Sequence, residues 1–154
     1  MCESTVLQFE VYSKEYLEKS WGWLNDPEIR LLTDTPVFSK EDQQRWFASL
    51  AERDDYIVWG VSVDGLKIGV VGLKNITSDQ AEYFGYLGEK SYWGKGFGYQ
   101  MLQFAEIYAR EELKVSSLIL NVLNINSRAI ELYTRYGFTT SERDATHTYM
   151  IKGF

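Results

Sequence analysis

One glycine-rich stretch constrains the fold of this chain more than any other feature. Residues 92–98 read YWGKGFG, and apolar residues then recur at helical spacing through Met101, Ala105 and Tyr108. A glycine-rich turn that opens a helix leaves backbone N–H groups unpaired at the positive end of the helix dipole. Such groups can bind a phosphate or pyrophosphate, because glycine lets the ligand approach the backbone closely. The alternative is a structural turn without a ligand.

Composition limits the size and the partners of the protein. The chain has 154 residues, which predicts a single domain over residues 1–154 with one core. Its net charge is −6 and it contains no basic run, so we expect no nucleic-acid partner. An acidic protein of this kind suits a cationic small substrate.

Cysteine usage and hydropathy exclude several further classes. Cys2 is the single cysteine, so we expect no internal disulfide and no metal site, and its terminal position indicates a frayed residue. The sequence shows no signal peptide and no apolar run near the roughly 18 residues of a membrane span. We therefore predict a cytoplasmic protein without a membrane partner.

Apolar periodicity predicts helices and strands along the whole chain. Helices are expected after the N-caps Ser13 and Ser39, in the run after the glycines, and over residues 128–136 up to Gly137. Asp64-Gly65 is a strong hairpin signal. Strands are expected at 6–11, 56–63, 66–76, 81–87, 115–122, from 138 onward and at 146–151, with a loop or short helix at 26–38 and a turn at 141–144. This order predicts a mixed α/β domain built on one sheet.

A second stretch makes the glycine loop far more specific. Residues 124–138 read NINSRAIELYTRYGF and follow the loop by about thirty residues. Together the two stretches resemble the GNAT superfamily of N-acetyltransferases. The family's loop reads Gln/Arg-x-x-Gly-x-Gly/Ala, and Trp93 stands here at its first position. Residues 92–96 resemble the branch of the ribosomal-protein N-terminal acetyltransferases, the spermidine acetyltransferases and several nucleotide-sugar acetyltransferases.

The resemblance implies a fold and a co-substrate. The fold would be a mixed sheet of about seven strands, splayed between strands 4 and 5 and flanked by about four helices. Acetyl-CoA would be the co-substrate, without a metal. Its pantetheine arm would pair with the main chain of Gly85, Tyr86 and Leu87. Asn126 would contact it too, although helix capping is an alternative role for that side chain. The pyrophosphate would lie on the backbone of Trp93, Gly94, Lys95, Gly96, Phe97 and Gly98, where the first position contributes mainly main-chain groups.

Two residues match catalytic positions of the superfamily. Tyr133 would protonate the departing CoA thiolate, and the alternative is a core tyrosine on an apolar helical stripe. Glu82 precedes the loop by eleven residues (93 − 82 = 11) and would act as the general base, often through a water. The alternative is a solvated glutamate on an exposed strand face. The amine would attack the thioester directly, and main-chain N–H groups of the splayed strand would polarise its carbonyl.

The sequence leaves the acceptor open. Three loop acids (Asp26, Glu28 and Asp34) favour a cationic amine, whereas Arg30 and Arg45 could meet a nucleotide diphosphate. We favour an amino sugar, a nucleotide-linked amino sugar or a polyamine over a protein N-terminus. A non-catalytic acetyl-CoA-binding module is another alternative, as is a longer acyl-CoA if neither Phe84 nor Trp59 blocks the cleft. A homodimer is also possible. The candidate acceptor residues are Glu28, Arg30, Asp34, Trp46, His147 and Tyr149.

Overall fold

A computed structural model describes residues 6–154, so Cys2 lies outside the described residues. Within this range the chain forms seven strands and five α-helices around one sheet. The strands are β1 (Gln8–Val11), β2 (Ile57–Val63), β3 (Leu66–Lys74), β4 (Gln80–Leu87), β5 (Ser117–Leu123), β6 (Thr139–Arg143) and β7 (His147–Gly153). The helices are α1 (Lys14–Leu24), α2 (Pro27–Leu32), α3 (Lys40–Ser49), α4 (Phe97–Tyr108) and α5 (Ser127–Tyr136).

The sheet opens between its two central strands. Its order is β1-β2-β3-β4-β5-β7-β6, and β4 and β5 run parallel. These two strands pair only from Gln80↔Ser117 to Glu82↔Ile119. Beyond Glu82, β4 stays paired with β3, and β5 stays paired with β7. A gap therefore separates the second halves of β4 and β5, which confirms the predicted splay.

Alternate residues of β4 face two different cores. Ala81 and Tyr83 are buried in the cluster that also holds Met101 of α4, and residues of α5 pack against that cluster. Phe84 and Tyr86 point the other way and pack on the cluster formed by α1 and its neighbours. Helices α1–α3 thus cover one face of the sheet, while α4 and α5 lie on the other.

Local sequence signals explain most of the element ends. Ser39 and Asp42 form the predicted capping box of α3. Asp64 and Gly65 both have positive φ values, as the hairpin signal predicted. Asp26 caps α2 through the backbone N–H groups of the first turn, so residues 26–38 contain a short helix that raises the helix count to five.

One predicted turn is wrong. Residues 141–143 continue strand β6, and the turn lies at Asp144, whose carboxylate accepts from the backbone N–H groups of Thr146 and His147. All five residues of β6 are exposed, so this edge strand has no alternation of polar and apolar residues that a sequence could reveal. No helix among residues 6–154 is long and apolar enough to cross a membrane.

Candidate active site

A cleft of about 1440 Å³ runs along the gap between β4 and β5. Its walls come from the second halves of both strands, the glycine loop, the start of α5 and the segment from α1 to α3. Glu82, Tyr133 and most of the predicted cofactor residues line this one cleft. The cleft therefore joins the two sequence stretches that suggested a function.

The three glycines of the loop serve different purposes. Gly94 and Gly96 have φ values of 75° and 82°, and a Cβ on either would meet no atom within 4 Å. Their positive φ is the reason for glycine at these positions. A Cβ on Gly98 would lie 2.8 Å from Leu132 Cδ2, so Gly98 lets α4 approach α5 closely. Only the first two glycines therefore give a ligand open access to the backbone.

The start of α4 presents free hydrogen-bond donors. Gly96 is the N-cap and offers no side-chain acceptor. The backbone N–H groups of Phe97, Gly98 and Tyr99 find no protein acceptor among residues 6–154. Free N–H groups at the positive end of a helix dipole attract an anion.

Two cations accompany these donors: Lys95 directly precedes the N-cap Gly96 in the chain, and Arg128 lines the same cleft. Lys95 is exposed and forms no ion pair with the described residues. Arg128 is exposed, lines the cleft at the start of α5, and forms no ion pair with them either. Sequence reasoning overlooked Arg128, because an arginine at a helix start has no pattern that sets it apart.

Trp93 ties the glycine loop to the end of β4. Its indole N–H donates to the carbonyl oxygen of Leu87 at 2.9 Å, so this residue contributes a side-chain contact as well as the expected main-chain groups. The backbone N–H of Gly88 donates to Ile68 in β3 at 2.8 Å. Main-chain groups alternate sides along a strand. Those of Gly85 and Leu87 therefore face the gap, whereas those of Tyr86 face β3.

Gly85 keeps the floor of the gap shallow. A Cβ at this position would lie 2.8 Å from the Tyr83 hydroxyl and 3.0 Å from Met101 Cε. A side chain here would displace Tyr83 or Met101, both of which are buried. Packing therefore requires glycine at position 85. The absence of a side chain also leaves the main chain of Gly85 accessible beside the cleft.

Tyr133 lies in the cleft on the α5 side of the sheet. Its ring meets Tyr83 edge-on at 6.2 Å and packs against Phe138 at 5.9 Å. Burial raises the pKa of Tyr133 to about 12, so its phenol keeps its proton at neutral pH. Its hydroxyl has no hydrogen-bond partner among the described residues, which leaves the proton available to a ligand.

Glu82 lies on the other face of β4, at the last paired position before the gap. Its side chain is only 13% exposed, which argues against the solvated alternative. Asn75 Nδ2 and Asn121 Nδ2 donate to its two oxygens at 2.9 and 3.2 Å. Lys74 Nζ lies 3.9 Å from the same carboxylate. These contacts hold the carboxyl group of Glu82 beside the point where the strands separate.

Asn126 caps a helix and crosses to another element. Its Oδ1 accepts from the backbone N–H of Ala129 at 3.3 Å, which confirms the capping role. Its Nδ2 donates to the carbonyl oxygen of Leu32, the last residue of α2, at 3.4 Å. The side chain therefore joins the start of α5 to the segment that closes the opposite wall.

Aromatic side chains line the α1–α3 side of the cleft. Trp46 meets Tyr12 and Tyr56 edge-on at 5.5 and 5.9 Å, and Tyr56 packs on Phe84 at 5.5 Å. Burial raises the pKa of Tyr12 to about 12 and also raises the pKa of Tyr56. Trp59 does not line the cleft, because it packs against Phe104 and Tyr108. Of the two rings considered as blocks, only Phe84 reaches the cleft.

The loop acids do not form the free negative cluster that the sequence suggested. Lys90 Nζ lies 3.0 Å from both Asp26 and Glu28, and its hydrogen bond lowers the pKa of Asp26. Asp34 Oδ2 lies 2.8 Å from His147 Nε2. Lys90 follows β4 and His147 begins β7, so sequence distance concealed both partners.

The predicted arginines are also occupied outside the cleft. Arg30 donates to Asn25 and to the carbonyl oxygen of Leu24, and it lines a separate depression of about 550 Å³. Arg45 is exposed and pairs with Asp42 at 2.5 Å. The structure thus places neither guanidinium where a diphosphate in this cleft would lie.

The two candidates on β7 differ in their relation to the cleft. Tyr149 donates to Asp144 at 3.3 Å and does not line the cleft. His147 does not line it either, but its bond to Asp34 holds a residue that does. Trp46, Glu28 and Asp34 are the predicted acceptor residues that the structure brings into the cleft wall.

Comparison with known proteins decides the family. The family model of the acetyltransferase (GNAT) domain matches residues 8–139. The chain belongs to this family. Acetyltransferase PseH from Campylobacter jejuni is 29% identical over 136 residues, which are 88% of this chain and 85% of that protein.

Solved structures agree on the fold. The crystal structure of C. jejuni N-acetyltransferase PseH in complex with acetyl coenzyme A has a TM-score of 0.74 and 24% identity, covering 96% of this chain and 99% of that one. Spermidine N-acetyltransferase from Vibrio cholerae, in complex with CoA and spermine, has a TM-score of 0.86 and 19% identity, covering 96% and 95%. The chain is a GNAT-type N-acetyltransferase that uses acetyl-CoA as co-substrate. Its branch within the superfamily stays a prediction.

Proposed function

We propose that this enzyme transfers the acetyl group of acetyl-CoA to a primary amine of an amino sugar or of a nucleotide-linked amino sugar. One observation carries the proposal. Glu82 projects from one face of β4, and Tyr133 of α5 lies on the other side of the sheet. Both nevertheless line the same cleft, where β4 and β5 separate. A thioester in the gap would therefore have a proton donor on one side and a proton acceptor on the other.

The cofactor half of the cleft comprises the glycine loop, the gap-facing main chain of β4 and the start of α5. The free N–H groups of Phe97, Gly98 and Tyr99 would hold the pyrophosphate, with positive charge from Lys95 and Arg128. The main chain of Gly85 and Leu87 would pair with the pantetheine arm, in place of the missing β5 contacts. Asn126 lies at the border of this half, and the second hydrogen of its amide would be available to the pantetheine arm.

The reaction would be a direct transfer. Glu82 would accept a proton from the ammonium form of the acceptor, directly or through one water, and the free amine would attack the thioester carbon. Main-chain N–H groups of β4 would stabilise the tetrahedral oxyanion. As the C–S bond breaks, Tyr133 would donate its proton to the CoA thiolate, and the tyrosinate would regain a proton from the acylated nitrogen through solvent.

The acceptor half comprises Tyr12, Trp46, Tyr56 and Phe84 with the loop after α2. Aromatic rings offer flat apolar surfaces that match the faces of a sugar. A polycation would instead need free carboxylates, and Lys90 and His147 already occupy Asp26, Glu28 and Asp34. This balance favours an amino sugar over a polyamine.

Release of CoA with a panel of amines tests the proposal. The panel holds amino sugars, nucleotide-linked amino sugars, spermidine and a peptide with a free N-terminus. We expect CoA release with at least one amino sugar or nucleotide-linked amino sugar. Tyr133→Phe should lower kcat about 100-fold without changing KM for acetyl-CoA. Tyr136→Phe is the matched control, since Tyr136 lies one turn further along α5, outside the cleft wall.

Three outcomes would contradict parts of the proposal. Release only with spermidine or the peptide would replace the acceptor class. Full activity of Tyr133→Phe would remove the proton donor. Binding of acetyl-CoA without release by any amine would leave a non-catalytic binding module.

A further inference from the structure

We infer that Asn75 and Asn121 are positioning residues that hold the Glu82 carboxylate for proton transfer. The inference rests on the proposed role of Glu82 as general base. Neither asparagine belongs to the glycine loop or to the stretch of residues 124–138, and sequence reasoning singled out neither of them as a functional residue.

The two amides hold the carboxylate from opposite sides. Asn75 Nδ2 donates to Oε1 of Glu82 at 2.9 Å from the turn between β3 and β4. Asn121 Nδ2 donates to Oε2 at 3.2 Å from β5, the strand across the gap. Each carboxylate oxygen can accept more than one hydrogen bond. Both oxygens therefore keep a lone pair that can accept a proton.

The backbone around Asn75 is adapted to this contact. Asn75 has a φ of 50°, in the left-handed region that asparagine tolerates better than most residues. It follows directly after β3, at the end of the β3–β4 hairpin where Lys74 pairs with Glu82. The unusual backbone conformation and the side-chain contact thus occur at the same residue.

Charge alone would not orient the base. Among residues 6–154, Lys74 is the cation that pairs with Glu82, but its Nζ lies 3.9 Å away and also sits over the ring of Phe84. An ammonium at this distance attracts the carboxylate without fixing its rotation. Two amide bonds fix it, and amides neither take up nor release protons in the working pH range.

Fixing the carboxylate has a catalytic consequence. A glutamate side chain has three rotatable bonds, and a general base must lie within hydrogen-bond reach of the proton that it accepts. Loss of either amide would let the carboxylate leave that position in part of the molecules. The expected effect is a lower kcat with unchanged binding of acetyl-CoA, since neither asparagine is part of the cofactor half.

A double-mutant cycle tests the inference. We would measure kcat and KM for Asn75→Gly and Asn121→Ser, each alone and combined with Glu82→Gln. Glycine keeps the left-handed backbone at position 75. Each single variant should lower kcat about tenfold and leave KM for acetyl-CoA unchanged. In the Glu82→Gln background, the same changes should lower kcat no further. Ser117→Ala is the control, because Ser117 lies on the same face of β5 outside the cleft.

The possible results separate this inference from the proposed function. Equal losses in both backgrounds would show a structural role that does not act through Glu82, and would overturn the inference. Wild-type kcat in both asparagine variants, together with a large loss in Glu82→Gln, would overturn it and leave the proposed base in place. Full activity of Glu82→Gln would remove the base and the inference together, as would a wild type that releases no CoA.

Discussion

In the proposed cofactor half of the cleft many of the groups without partners belong to the main chain, whereas in the proposed acceptor half the charged side chains already bind one another. Within the described part of the chain, the first turn of α4 keeps open donors, and on the gap-facing edge of β4 the main chain of Gly85 stays unpaired, while the carbonyl oxygen of Leu87 accepts from the Trp93 indole. Across β4, Asp26 and Glu28 bind Lys90, and Asp34 binds His147. A cofactor can therefore be held by backbone geometry, while an acceptor must be recognised by shape and by a few exposed polar edges.

The largest expected effect is on the cofactor half. Gly96→Glu places a side chain and a negative charge beside the proposed pyrophosphate, so acetyl-CoA affinity should fall about 100-fold or more in calorimetry. Gly65→Glu is a matched control, because Gly65 has a φ of 81° against 82° for Gly96 and equally open surroundings. Both variants should lose about 1–2 kcal/mol of stability from the positive φ. Equal losses of acetyl-CoA affinity in Gly96→Glu and Gly65→Glu would contradict the proposed pyrophosphate site.

Alkaline pH should destabilise the protein through the buried hydroxyl of Tyr12 in the acceptor half. Tyr12 donates to Ser20 at 2.7 Å, and its pKa of about 12 in the folded state exceeds the ordinary value of 10.0. The unfolded chain releases this proton first, so the stabilisation is complete below pH 10 and is lost as pH rises towards 12. Between pH 8 and pH 11, Tyr12 should account for about 1.4 kcal/mol of lost stability.

Urea unfolding of Tyr12→Phe measures this contribution. The variant should lose less stability than the wild type between the two pH values, whatever its stability at pH 8. If Tyr12→Phe lost as much stability between pH 8 and pH 11 as the wild type, the buried, protonated state of Tyr12 would be contradicted.

Neutralised carboxylates should become available when their cation is removed. Lys90→Gln leaves Asp26 and Glu28 without their shared partner, and Glu28 lines the cleft. We expect kcat/KM for spermidine to rise about fivefold relative to an amino sugar, with less effect at high salt. Lys67→Gln removes a cation that pairs with Glu15, outside the cleft wall, and should not change this ratio. A ratio that stays constant in both variants would show that these acids do not face the acceptor.

The smallest effect should come from the contact between the glycine loop and β4. Trp93→Phe keeps a ring but removes the hydrogen bond to Leu87, which should raise KM for acetyl-CoA about threefold with kcat unchanged. Trp23→Phe removes a comparable indole bond, to Glu89 at 2.7 Å, from α1. It should affect stability but not this KM. Identical kinetics of Trp93→Phe and the wild type would leave the indole a structural role only.

The comparison also explains what the sequence could predict. The proposed role of residues 92–98 depends on backbone geometry, which glycine spacing encodes directly, so the loop was predictable from these residues. The splayed strands were predicted from the resemblance to the family. The even and odd faces of β4 followed from simple alternation. The acceptor half depends on pairs such as Asp34 with His147, which lie 113 residues apart. No local pattern encodes such a pair.

Other features stayed hidden for related reasons. Arg128 and the two asparagines beside Glu82 are common polar residues whose proposed roles depend on their neighbours in space. Strand β6 lies at the edge of the sheet, and its exposed residues show no periodicity. The homodimer and the cytoplasmic location stay predictions from the sequence.

The alternation of β4 has a consequence for how such an enzyme can change over evolutionary time. Phe84 and Tyr86 pack on the cluster of α1–α3, on the proposed acceptor side, while Ala81, Tyr83 and Leu87 pack on the cluster under the proposed cofactor side. Substitutions at Phe84 or Tyr86 can remodel one pocket without disturbing the other. A single-residue insertion or deletion would exchange the two sets and destroy both sites at once. Lineages that adopt new amines should therefore vary in composition along β4 while its length stays fixed.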